Sequence, residues 1–69
     1  MLRIYGKTKD MKRFKALDWK NGTFQSNLIY ASYFEDLQLE ELKKEIENNK
    51  QQNCKVTLVI KNKNKVIYR

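Results

Sequence analysis

General acid–base catalysis at neutral pH relies most often on histidine, and this 69-residue sequence contains none. Its single cysteine, Cys54, has no imidazole to activate it, and the neighbouring Lys55 is a weak substitute. Cys54 therefore reads as a buried or bystander thiol. One cysteine cannot close a disulfide within the chain, and without histidines it cannot assemble a zinc site. Asp10 and Asp18 are the only carboxylates outside the acidic stretch 35–47, and both fall beside turn signals. Ser26 and Ser32 lack a base and fall on the expected inner side of a strand. Gly6-Lys7-Thr8 superficially matches the end of a phosphate-binding loop, but it lacks the upstream glycine and the helix that would hold the phosphate. These residues predict no enzyme, no cofactor and no bound metal.

Binding chemistry remains, and the charge distribution bears on it first. The formal net charge is +7, and it is unevenly spread. Residues 1–34 carry +5, residues 35–53 carry −3, and residues 54–69 carry +5. Two basic flanks around an acidic middle suit an anion-binding surface, for which nucleic acid is the commonest target. The same excess also serves solubility alone. Lysines outnumber arginines twelve to three, and arginine is the better two-pronged partner for phosphates and bases.

The elements that must position these charges are legible from periodicity. The length allows one domain, residues 1–69, with a modest core. Leu2 to Tyr5 alternates as a short strand, and Gly6 to Asp10 reads as a polar connection. Residues 11–34 read as a β-hairpin around Lys20-Asn21-Gly22. Residues 36–53 read as a helix, with Leu39, Leu42 and Ile46 at helical spacing, Leu37 near the start, and Asp36 as its N-cap. Glu40 and Lys44 form an i,i+4 pair in the favourable order. Residues 54–61 alternate as a strong strand, Asn62-Lys63-Asn64 signals a turn, and residues 65–69 close with a short strand. The order β-β-β-α-β-β predicts an α+β fold: one small antiparallel sheet with a single helix packed on one face.

Turn chemistry sets the hairpin register, and the register sets the faces. A two-residue turn pairing Lys20 with Thr23 leaves both faces mixed. A three-residue loop with Gly22 as the left-handed bulge residue pairs Trp19 with Thr23 and Asp18 with Phe24. That register gathers Phe14, Ala16, Phe24, Leu28, Tyr30 and Phe34 on the inner face, and it is the one adopted here. The uncovered face then displays Arg13, Lys15, Leu17, Ile29 and Tyr33, joined by Arg3, Tyr5 and Lys61 from neighbouring strands. Trp19 falls beside the turn and reads as a cap over the hairpin end rather than an exposed anchor.

Arg13-Phe14-Lys15-Ala16-Leu17-Asp18, Asn21-Gly22-Thr23-Phe24, Asn27-Leu28-Ile29-Tyr30-Ala31 and Phe34, followed by an acid-rich helix, form a pattern. It resembles short uncharacterised proteins of low-GC Gram-positive bacteria and of their phages and conjugative elements. The likeness spans residues 13–60, and the basic tail beyond Ile60 is an addition to it. The resemblance implies an accessory protein of a mobile element and brings no catalytic residues.

Three readings compete for the uncovered face. The first is protein binding, to another protein or a second copy of the chain, burying Leu17, Ile29 and Tyr33 behind a basic rim. The second is nucleic acid, with Tyr5 and Tyr33 stacking bases while Arg3, Arg13, Lys15 and Lys61 meet phosphates. The third is a solvated face without a partner. No apolar run reaches the ~20 residues that cross a bilayer, so no membrane role is expected. Residues 1–5 lack the apolar centre of a signal peptide, which with the lone thiol predicts a cytoplasmic protein.

Overall fold

Residues 1–52 and 55–69 are described by the structure, a computed structural model of the chain. Its strands are β1 (Leu2–Thr8), β2 (Lys15–Asp18), β3 (Thr23–Gln25), β4 (Val56–Asn62) and β5 (Lys65–Tyr68), and its helix is α1 (Leu39–Gln52). The strands form one antiparallel sheet in the order β3-β2-β1-β4-β5. The protein is therefore an α+β fold with five strands and one long helix, in the element order that the periodicity predicts. Leu2 and Ile4 begin a two-residue alternation that runs on through Gly6, so Gly6-Lys7-Thr8 completes a strand instead of forming a loop. β4 pairs with β1 along its whole length, from Leu2 opposite Asn62 to Thr8 opposite Val56. Asn53 and Cys54, expected at the helix end and the strand start, lie outside the described residues.

The hairpin adopts a different register from the expected one. Asp18 pairs with Thr23, Leu17 with Phe24 and Ala16 with Gln25, around a four-residue loop. The cause is the Asp18 side chain. Its Oδ1 accepts the Asn21 N–H at 3.3 Å and its Oδ2 accepts the Asn21 Nδ2–H at 2.7 Å, while the Gly22 N–H donates to the Asp18 carbonyl at 2.7 Å. These bonds hold the Asp18 carboxyl below its usual pKa, the Asn21 side chain contributing most. They also close the turn one residue earlier, and Trp19 leaves the strand. Gly22 takes the left-handed conformation at φ 69°, as expected of that glycine. Pairing Leu17 with Phe24 turns both toward the helix, so Leu17 enters the core, contrary to expectation.

The strand expected to run on to Phe34 ends at Gln25. Leu28–Tyr30 is a 3-10 turn whose cap is Asn27, the Ile29 N–H donating to Asn27 Oδ1 at 3.0 Å. Leu28 and Tyr30, expected inside, are exposed. The chain then enters the sheet between β1 and β2. The Leu2 and Phe34 backbones exchange two hydrogen bonds of 2.8 Å. On the other side the Ser32 N–H donates to the Leu17 carbonyl at 3.0 Å, and Ser32 Oγ accepts the Trp19 N–H at 2.9 Å. Residues 31–34 thus wedge open the sheet, and β1 and β2 pair directly only at Tyr5–Ala16 and Gly6–Lys15.

A 3-10 turn, Asp36–Gln38, leads into α1. Its cap is Glu35 rather than Asp36, and the Glu35 N–H donates to Gln38 Oε1 at 2.9 Å. Asp36 instead accepts from the N-terminal ammonium at 3.1 Å. Leu37, on the 3-10 turn before α1, is 97% exposed and takes no part in the core. Leu42 and Ile46 are fully buried, each contributing about 1.5–3 kcal/mol of burial. Glu40 pairs with Lys43 at 3.5 Å, one residue short of the expected Lys44. The far end of α1 is fixed to β5: the Tyr68 hydroxyl donates to Glu47 Oε1, and Lys43 and Lys50 lie 5.4 and 5.6 Å from the Tyr68 ring centre. That hydrogen bond lowers the Glu47 pKa and raises that of Tyr68.

Leu2, Ile4, Leu17, Leu42, Ile46, Leu58 and Ile60 form the core. Gly6 lies at its centre on the helix side of β1, where a Cβ would stand 3.0 Å from Leu17 Cδ1, 3.2 Å from Leu58 Cδ2 and 3.2 Å from Phe24 Cε1. The missing side chain lets three residues from three other strands meet over the central strand. Gly6→Val should cost about 1–3 kcal/mol by overpacking, read as a lower urea midpoint with an unchanged slope. A depressed carboxyl pKa adds stability above the unfolded-state value, and that stability is lost as pH falls through the folded value. Tyr68→Phe removes the main cause of the shift, so the Glu47 carboxyl midpoint, followed by NMR, should rise toward its ordinary value.

Candidate functional site

The side of the sheet away from α1 is built by residues whose strand partners share a face. β1 contributes Arg3, Tyr5 and Lys7; β4 contributes Lys61, Val59 and Thr57 directly opposite them. Ala16 of β2 stands opposite Tyr5 on the other flank. Ala16 and Val59 are buried and form a small apolar floor beneath the longer side chains. Strands β1, β4 and β5 contain no acidic residue.

Cations and rings are interleaved across this surface. Lys61 Nζ lies 4.5 Å from the centre of the Tyr5 ring, and Lys7 Nζ lies 5.9 Å from that of Phe14. The wedge sets the position of Tyr33. Phe34 pairs with Leu2 and packs on the core, so the alternation of an extended segment carries Tyr33 to the uncovered side. In the chain Tyr33 directly precedes Phe34, whose bridge partner Leu2 directly precedes Arg3. Tyr33 is 59% exposed. Arg3 is only half-exposed, its Nε is buried without a hydrogen-bond partner, and it makes no ion pair among the described residues. Lys7 and Lys61 make none either. The ion pairs of Glu40 and Glu47 lie on the helix layer, and Asp36 is held by the N-terminus.

Of the residues expected on this face, Arg3, Tyr5, Tyr33 and Lys61 are brought together. Leu17 is not among them, because the Asp18-closed turn rotates it into the core. Lys15 stands opposite Gly6 and so belongs to the helix side of the sheet. Arg13 is exposed in the bend that precedes β2. Ile29 sits on the 3-10 turn, 79% exposed and outside the sheet. Two residues were missed. Lys7, expected in a connection, and Phe14, expected in the core, meet as a cation–ring contact. The continued Leu-x-Ile-x-Gly alternation could have shown Lys7, since Gly6 keeps the inward phase.

Other features of the surface are separate. Leu28, Ile29, Tyr30 and Leu37 are exposed along residues 28–37, between the hairpin and α1. Trp19 packs on the edge of the core and, with Leu17, Phe24, Val56, Leu58 and Asn49, lines a cavity of about 230 Å³ between the hairpin and α1. It covers the hairpin end, as a cap does. Ser26 is exposed, and Ser32 Oγ is used by the Trp19 backbone. Among the described residues no three His, Cys, Asp or Glu side chains are grouped to hold a metal ion, and no helix is long and apolar enough to cross a membrane. No protein-family model matches the sequence, and no curated protein or solved structure is similar to it.

Proposed function

We propose that this chain is a non-enzymatic binding protein whose uncovered sheet face takes single-stranded nucleic acid. The observation that carries the reading is that Lys61 lies over the Tyr5 ring and Lys7 over the Phe14 ring, with Arg3 on the same face and no acid in β1 or β4. Sheet-based single-strand binders combine such elements: rings on which bases stack, and cations that follow the backbone. The hairpin register supports this reading over an apolar interface on the same face, because Leu17 is withdrawn from it and Ile29 lies elsewhere.

A second reading keeps protein binding but moves it to residues 28–37. Ile29 and Leu37 are 79% and 97% exposed there, more than a solvated loop requires. A partner protein or a second copy covering that segment would form a complex that persists at high salt. Light-scattering mass of the protein and of Ile29→Asp would show it as a dimer that the substitution dissociates.

The main reading is tested by two variants of equal net charge. Lys7→Gln with Lys61→Gln removes two cations from the face; Lys20→Gln with Lys44→Gln removes two from the hairpin tip and the helix. In fluorescence anisotropy with an oligothymidylate, the first pair should weaken binding and reduce the salt slope by about 1.4, and the second should match the unmodified chain more closely. Equal losses in both variants would mean that only total charge matters, and the face would have no special part.

A further inference from the structure

We infer that Tyr5 is the residue by which this face distinguishes a single strand from a duplex and from a polyanion without bases. The inference rests on the binding reading above. Lys61 Nζ lies 4.5 Å from the Tyr5 ring centre, closer than the 5.4, 5.6 and 5.9 Å of Lys43 and Lys50 over Tyr68 and Lys7 over Phe14. Tyr5 stands between Ala16 and Val59, both buried, so its base is fixed in the sheet while Lys61 covers its ring. In the free protein the ammonium therefore occupies the surface on which a base would stack.

Any phosphate chain that engages Lys61 draws the ammonium from the ring and ends the cation–ring attraction. What replaces that attraction differs between ligands. A duplex keeps its bases stacked and paired, so the freed Tyr5 ring is left facing water. Inorganic polyphosphate has no base to offer. A single strand supplies a phosphate to Lys61 and an unpaired base to Tyr5 in the same event, so the lost contact is replaced by stacking. Cations of the face set how tightly any anion is held; the Tyr5 ring sets which anion is preferred.

The test compares a labelled oligothymidylate, a labelled duplex of equal length, and inorganic polyphosphate as competitor, on the unmodified chain, Tyr5→Ala and Tyr5→Phe. The unmodified chain should prefer the single strand. Tyr5→Ala should reduce that preference about tenfold while duplex and polyphosphate binding stay within about twofold. Tyr5→Phe should keep the preference, since the ring remains. Tyr5→Leu, which keeps bulk but has no π-face, serves in place of Tyr5→Ala if the smaller side chain unfolds the sheet. An unchanged preference in Tyr5→Ala or Tyr5→Leu, with all probes still bound, would overturn the role of Tyr5 and leave the anion-binding face standing. If the unmodified chain binds none of the three probes, the binding reading fails, and this inference with it.

Discussion

The strand β1 has one backbone edge facing β2, and two different segments share it. Tyr5 and Gly6 use it to pair with Ala16 and Lys15, while Leu2 uses it to pair with Phe34. Backbone polar groups buried within a sheet must all find partners, so once residues 31–34 bond to Leu2, the end of β2 must bond to something else. It bonds to Ser32, through the Leu17 carbonyl and the Trp19 N–H. That division fixes the direction of the hairpin, the path of the chain into α1 and the location of Tyr33. The other edge of β1 is undivided and gives β4 its full-length register.

The same division separates two chemistries. On the helix side, Gly6 leaves room for Leu17, Leu58 and Phe24 to meet across β1, and Leu42 and Ile46 complete the core. On the other side the sheet carries Arg3, Tyr5, Lys7 and Lys61 beside the buried Ala16 and Val59. Charge follows the same partition. Acids concentrate on α1 and its lead-in turn, where Lys43 and Lys50 partly neutralise them, whereas the cations of β1 and β4 have no carboxylate partner among the described residues. A core this small leaves much of its sheet uncovered, and an α+β layer pair is indifferent to what that uncovered side does.

The hairpin shows how one side chain can redirect a surface. The Asn-Gly signal correctly marks a turn, and Gly22 takes the left-handed conformation that such a turn asks of it. The Asp18 carboxylate nevertheless captures Asn21 twice and closes the turn one residue earlier. Because the side-chain period of a strand is two, that single step moves Leu17 from an interface into the core. An apolar contact surface becomes a basic and aromatic one without any change in the residues available.

The sequence by itself determined the element order, the position of the helix, the strong strand after it, and the absence of histidine and of cysteine pairs. Those depend on local period and composition, which the chain carries residue by residue. Arg3, Tyr5 and Lys61 share one face because β1 and β4 alternate and pair along their whole length. Only the tertiary structure decided the hairpin register, the wedge at residues 31–34 and the couple of Lys7 with Phe14. Each depends on hydrogen bonds between segments whose competition local pattern does not rank: Asp18 against the strand ladder, and Phe34 against β2 for one edge of β1. Periodicity states which residues can share a face, and the partner that takes a backbone edge decides which of them do.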